Sequence, residues 1–333
     1  MIKIRELTEL NNKFYRFSGW SGADGIYSFK VADKVLLYFS DTFIGDSSKN
    51  GIRKDFKLIN NSLAVIKNDT IDFYYNKNPI SSSFAASNNS YYWLEDGIVE
   101  GDKLTIFALK MKNDVLSSLP FEIEGIDIIR TSTTFKDSIE YTIQETNLYS
   151  NNIVWGISLI KENDYYYVFG YKNIYNNKCL VLSRTKDFIS YEYLNEKGIF
   201  SSNIDSLLIL KDHFEAESKI VKKGNFYYIA YTKDSISSEI FLIRTDSLLK
   251  PFTKEIKIYN ITVTRKDFEA SSSTTTKAIL APDIKKKSNS NVLLIVIISV
   301  IGAAIIGASA YFIFRKPKDK NKNNKDNNGG TPE

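Results

Sequence analysis

Short runs rich in Tyr, Phe, Ile and Val recur along the first 260 residues, separated by clusters of Asn, Asp, Gly and Ser. None of them carries the 3.6-residue period of a long amphipathic helix, so the pattern predicts an all-β domain. One run type repeats: Val35–Ser40 (VLLYFS), Lys103–Ala108 (KLTIFA), Tyr165–Gly170 (YYYVFG) and Phe226–Tyr231 (FYYIAY). Aligning Phe39, Phe107, Phe169 and Ala230 gives spacings of 68, 62 and 61 residues, and each run comes after a turn built from Asp, Asn, Gly or Lys.

A period near 60 accommodates four strands with generous loops, which predicts a β-propeller in which radial repetition protects the sheet edges. Four blades can be counted. A fifth copy falls near residue 292, where a different pattern opens. Either the ring closes in another way, or its last blade is replaced by the apolar segment that begins there.

That segment is Val292–Phe314, 23 residues without a charge. A bilayer core of roughly 30 Å needs about 20 such residues as a helix, so the run predicts a transmembrane helix. Within it Ser299, Ala303 and Gly307 recur every fourth residue, a small-residue face of the kind that packs helix on helix. The chain therefore divides into a propeller (1–269), a polar and basic stalk (270–291) that contains Ala270–Thr276, the spanning helix (292–314) and a basic tail (315–333). Arg315, Lys316, Lys318, Lys320, Lys322 and Lys325 come after the helix, against Lys285, Lys286 and Lys287 before it, which places the tail in the cytoplasm and the large domain outside. Met1–Phe14 has no apolar run that could serve as a signal peptide, so this topology carries the expectation of a start upstream; the alternative is a tail anchor with the domain inside.

The net charge of +5 resides mostly in the tail, leaving about +2 on residues 1–290. A nucleic-acid surface, which needs clustered Lys and Arg, is not expected. Cys179 is alone, which excludes an internal disulfide framework. His213 is the only histidine and completes no transition-metal set, and no phosphate loop, nucleophile elbow or zinc signature appears. No cofactor or metal is expected.

The informative stretch is Gly19–Gly45, GWSGADGIYSFKVADKVLLYFSDTFIG. It predicts a hairpin turning at Ala32 and Asp33, so that Val31 opposes Lys34 and Asp24 opposes Asp41. Opposed residues of an antiparallel pair have Cβ atoms about 4.5–5.5 Å apart. Two carboxylates so placed repel unless one holds a proton, the state that an acid and base pair needs at neutral pH. A three-residue turn would bring Thr42 opposite Asp24 instead, and Asp24 could merely start a turn while Asp41 caps a strand. Trp20, Trp93 and Trp155 each stand near the start of a blade strand, where an indole either stacks on a sugar ring or packs in the core.

Trp20–Ser28 together with Leu37–Gly45 resembles the first blade of uncharacterised secreted bacterial five-bladed propellers related to the endo-D-arabinanase family, and more distantly the arabinanase and fructosidase propellers. Fainter echoes are Asn61–Val65, Tyr91–Trp93, Val154–Gly156 and Glu217–Val221, so the likeness touches most of residues 15–250. It implies a substrate in the central funnel and carries the catalytic role onto Asp24 and Asp41, with Asp41 as nucleophile and Asp24 as acid/base of a retaining glycosidase. It adds Glu217, at the head of the fourth blade's repeated strand, as a third acidic candidate, whose alternative is a solvent-facing residue beside Glu215. Asn61 joins Trp20, Trp93 and Trp155 as a substrate-binding candidate. The expected function is a membrane-anchored glycoside hydrolase-like propeller acting on a furanose-rich or other surface glycan. A non-catalytic glycan- or protein-binding propeller is the alternative.

Overall fold

A computed structural model of the chain describes residues 7–48, 53–77, 82–113, 121–135, 139–175, 177–233, 237–260, 278–280 and 295–297. After a short helix, α1 (Thr8–Phe14), the first blade holds β1 (Trp20–Ala23), β2 (Tyr27–Val31), β3 (Lys34–Phe39), β4 (Thr42–Ser47), β5 (Arg53–Ile59), β6 (Ser62–Lys67) and β7 (Thr70–Tyr74). The second has β8 (Tyr91–Glu100), β9 (Lys103–Asn113), β10 (Phe121–Ser132) and β11 (Tyr141–Gln144). The third has β12 (Ile153–Glu162), β13 (Tyr165–Ile174), β14 (Asn177–Thr185), β15 (Tyr191–Leu194) and β16 (Phe200–Ser201). The fourth has β17 (Lys219–Lys223), β18 (Phe226–Thr232), β19 (Glu239–Thr245) and β20 (Glu255–Asn260).

Each blade is an antiparallel meander, and its first strand packs against the first strand of the next: β2 on β8, β8 on β12, β12 on β17. The repeated runs are the second strands. Phe39, Phe107 and Phe169 are fully buried and Ala230 nearly so, because a second strand is covered on both faces by neighbouring blades. That double burial is what made the period visible.

Blade 1 departs from its siblings. Tyr27 faces Tyr38 and Ala23 faces Thr42, while Phe39 faces Ser62 and Thr42 faces Ile59. One register thus runs through both halves, so β1, β4 and β5 continue the hairpins of β2, β3 and β6 beyond a break at Asp24, Ser40–Asp41 and Asn60–Asn61. The predicted turn at Ala32 and Asp33 and the pairing of Val31 with Lys34 are present.

The blades are tied by polar contacts inside an apolar interface. The Ser40 hydroxyl accepts from Leu94 N–H at 2.9 Å and lies 3.3 Å from Leu94 C=O, and the Tyr38 hydroxyl donates to Glu95 C=O at 2.6 Å. The largest apolar cluster spans blades 2 to 4, and a separate one lies on the far face of blade 1, capped by Leu7, Leu10 and Phe14 of the N-terminal segment.

A bulge in β8 lets Glu95 and Asp96 oppose the single residue Phe107, and a matching bulge in β12 sets Gly156 and Ile157 opposite Phe169. Gly156 has φ +103, and a side chain there would enter the Phe107 ring. Asp96 is fully buried and binds three chain segments. Its oxygens accept from Leu159 N–H at 2.8 Å, the Ser158 hydroxyl at 3.2 Å and Lys219 Nζ at 2.5 Å. Lys219 Nζ also lies 5.2 Å from the centre of the Phe29 ring. All four blades meet at this ion pair.

Among the described residues no helix is long and apolar enough to cross a membrane. Within the run expected to be helical, Ile295–Ile297 instead forms β22, paired antiparallel with β21 (Ala278–Leu280), in keeping with the strand preference of β-branched residues. The rest of Val292–Phe314, most of the 270–291 stalk and the tail from Arg315 lie outside the described residues.

Replacing Asp96 by Ala leaves Lys219, the Ser158 hydroxyl and Leu159 N–H without their partner. Breaking a buried pair costs about 3–5 kcal/mol, so Asp96→Ala is expected to lower the urea midpoint by that equivalent. A change below about 1 kcal/mol would show that the pair does not hold the blades.

Candidate active site

The break in blade 1 creates the site. Asp24 N–H donates to Asp41 C=O at 3.1 Å and Ser40 N–H donates to Asp24 C=O at 2.9 Å, so the two aspartates oppose each other as the hairpin register predicts. Between them the chain turns at Gly25, with φ +59, where a Cβ would come within 2.8 Å of the Ser40 hydroxyl. Only glycine fits there without displacing the residue that clamps blade 2.

The environments of the two carboxylates differ. Asp24 is 8% exposed and its Oδ1 is buried without a hydrogen-bond partner. Burial, then the charge of Asp41, then that of Glu217, raise its pKa well above the usual carboxylate value. Asp41 is as deeply buried, but its Oδ1 accepts from Trp93 Nε1–H at 2.9 Å and Asn60 Nδ2–H at 3.1 Å. Burial lifts its pKa to about 6 while those two bonds pull it down. An indole and an amide N–H only donate, so they favour the ionised form. Asp24 is therefore the proton holder and Asp41 the anion. Neither joins a salt bridge among the described residues.

Glu217 sits in a bend two residues before β17, ahead of the innermost strand of blade 4 and not at the head of the repeated strand β18. It is half-buried, and burial, with the charges of Glu95 and Glu215, raises its pKa to about 8 against the pull of Lys178. Its charge reaches Asp24, so it faces the funnel and not solvent. Glu215 is occupied separately, 2.5 Å from Lys178 Nζ.

Two residues of this cluster were not among the candidates that the sequence suggests. Glu95 is buried, accepts from the Tyr27 hydroxyl at 2.8 Å and is raised to about 7, chiefly by burial. Asn60, not Asn61, binds Asp41. The signal for the first was present: Glu95–Asp96–Gly97 interrupts an apolar strand, as a bulge does.

The other candidates divide. Trp93 is half-exposed and bound to Asp41. Trp20 is 3% exposed, stacks on Phe73 with centroids 4.2 Å apart and donates to the Ser62 hydroxyl at 3.2 Å. Trp155 is fully buried beside Tyr193. Both are core residues with no face for a sugar. The Asn61 amide is fully buried and spent on backbone, donating to Ala85 C=O and Tyr92 C=O at 2.9 and 3.0 Å and accepting from Ala85 N–H at 3.0 Å. Among the described residues no group of three or more His, Cys, Asp or Glu side chains is arranged to hold a metal ion.

An all-β ring of meander blades with inward-facing carboxyl groups on its first strands defines a β-propeller of glycoside hydrolase-like fold. A family model described as a domain of unknown function (DUF5005) matches residues 8–298, and the chain belongs to that family. No curated protein sequence matches it. Among solved structures, a Bacteroides ovatus protein whose name gives it provisionally as a hydrolase shares the fold, with a TM-score of 0.60, 14% identity, and 78% of this chain and 75% of that one covered. An α-L-arabinofuranosidase from Clostridium thermocellum aligns with a TM-score of 0.46 and 12% identity over 77% of this chain and 78% of its own. A Bombyx mori β-fructofuranosidase aligns with a TM-score of 0.45 and 10% identity over 80% of this chain and 55% of its own.

Asp24, Asp41, Glu95 and Glu217 hold protons more tightly in the fold than in an unfolded chain. The native state thus binds the extra protons between about pH 4 and about pH 8, and stability falls as pH rises through that window. The urea midpoint is expected to be lower at pH 8.5 than at pH 5, with Glu217→Gln shrinking the difference. A midpoint that climbs over this range would contradict the assignment.

Proposed function

We propose that this protein is a membrane-anchored glycoside hydrolase that cleaves a furanose-rich or other surface glycan by a retaining mechanism, with Asp24 as acid/base and Asp41 as nucleophile. The observation that carries the reading is the contrast within the pair: a buried, unpartnered Asp24 carboxyl opposite an Asp41 carboxylate held by two N–H donors. Directly opposed strand residues have Cβ atoms about 5 Å apart, and a carboxyl separation of about 5–5.5 Å is the retaining arrangement.

In the first step the proton of Asp24 passes to the glycosidic oxygen as that bond breaks, and an Asp41 oxygen bonds to the anomeric carbon. In the second, Asp24 takes a proton from water, which attacks the same carbon and frees Asp41. Glu95 and Glu217 add negative charge where the sugar becomes cationic. The arabinofuranosidase and fructofuranosidase likenesses are compatible with a furanoside; the sugar itself is the proposal's first unknown to measure.

The test is release of reducing ends from arabinan, other furanose polymers and cell-wall polysaccharides. Asp24→Asn and Asp41→Asn are each expected to lower the rate at least about 10²-fold, the low end of what positioned acid–base groups contribute. Activity indifferent to both changes would reject the pair, and binding without cleavage would favour a glycan-binding propeller.

Anchoring rests on the 23 uncharged residues of Val292–Phe314 and the basic residues after them, with the propeller outside and the tail in the cytoplasm. Truncation after residue 291 is expected to move the protein from the membrane pellet to the supernatant. Full-length protein found in the supernatant would reject the anchor.

A further inference from the structure

We propose that the groove between the raised hairpin of blade 1 and the near edge of blade 2 is a track for a linear, uncharged polysaccharide chain, running outward from Asp41. The inference rests on the glycan reading of the site and adds the form of the substrate: a polymer held along several units, not a terminal sugar alone.

The alternation of β4 sets the first wall. Thr42 is buried against the Ser62 hydroxyl, 2.8 Å away, and Ile44 is buried in the same cluster as Trp20. Phe43 between them faces the opposite side, the side to which Asp41 also turns. Leu58 opposes Phe43 in the register, and Phe56 stands two residues further along β5. The Phe43 and Phe56 rings are 5.3 Å apart, with the Arg53 guanidinium 3.9 Å from the centre of the Phe43 ring. Phe56 and Leu58 are each 41% exposed.

Blade 2 supplies the second wall. Trp93, which donates to Asp41, meets Phe121 edge to face at 4.7 Å and Tyr91 at 6.1 Å. All three are half-exposed. Burial and the charge of Asp41 push the Tyr91 phenol up to about 12, which places this wall beside the carboxylate.

The occupant is set by that chemistry. Rings with open faces stack on the C–H faces of sugars, and Arg53, Asn60 and the Tyr91 hydroxyl offer bonds to ring substituents. A protein partner would cover the floor, where Asp41 is desolvated and already bonded. A uronate or phosphate chain would bring its charge against Asp41. A neutral glycan meets neither objection, and the walls continue the catalytic pocket outward.

The experiment measures binding of neutral furanose oligosaccharides of two, four and six units to the full-length chain carrying Asp24→Asn, so that ligands stay intact, by titration calorimetry. Affinity is expected to rise about tenfold or more from two to six units, each tenfold step being about 1.4 kcal/mol. Phe56→Ala and Phe121→Ala are each expected to remove most of that rise and leave the two-unit affinity unchanged. Phe56 is exposed enough for its truncation to leave the fold intact, which a thermal melt verifies. Affinity independent of length, or a length dependence that survives both substitutions, overturns the track while leaving the hydrolase reading standing. Length-dependent binding with no cleavage by the unsubstituted chain keeps the track and rejects the hydrolase. Absence of binding across arabinan, fructan and galactan oligosaccharides rejects both.

Discussion

The ion pair of Asp96 with Lys219 is the constraint on which the rest depends. A propeller blade is secured to its neighbours mostly by non-directional apolar contact, which fixes proximity better than rotation. Here a fully buried carboxylate accepts from blade 3 and from a lysine of blade 4, and that lysine rests over an aromatic ring of blade 1. A buried charge is tolerable only if its partners stand in the right places, so this one pair selects the relative setting of all four sheets. The setting then brings Glu217, from blade 4, within electrostatic reach of Asp24, from blade 1.

The same device, an irregular innermost strand, produces both the knot and the site. Blade 1 breaks at Asp24 and Gly25, and blade 2 bulges at Glu95 and Asp96. A regular strand would send adjacent carboxylates to opposite faces. The bulge instead lets Glu95 join the funnel while Asp96 joins the knot. The resulting carboxyl groups outnumber the cations near them, and burial holds their protons. A site poised in this way is suited to a reaction in which positive charge develops on the substrate. The anchor proposed for the C-terminal run is a separate matter from this chemistry, although the family match extends to residue 298, six residues into that run.

Much of the architecture was legible in the sequence for definite reasons. Second strands are buried on both sides, so their runs are continuously apolar and their period can be counted. The two-residue turn at Ala32 and Asp33 fixed the register that sets Asp24 against Asp41. What could not be read was the choice of partner across blades. The three tryptophans occupy similar positions in their repeats, yet Trp20 meets Phe73, Trp155 meets Tyr193, and only Trp93 meets a carboxylate. Asn60 and Asn61 are neighbours whose roles depend on which way the strand break turns each amide. Asp96 finds a lysine 123 residues away, a distance over which no local pattern carries information.

The most direct measurement is a carboxyl-selective ¹³C NMR titration of the propeller, assigned through Asp24→Asn and Asp41→Asn. Asp41 is predicted to titrate near pH 6, with Asp24 still holding its proton when Asp41 has lost its own. Two aspartates that both ionise below pH 5, near the ordinary range of the side chain, would contradict the claim that the fold keeps one proton on the pair at neutral pH.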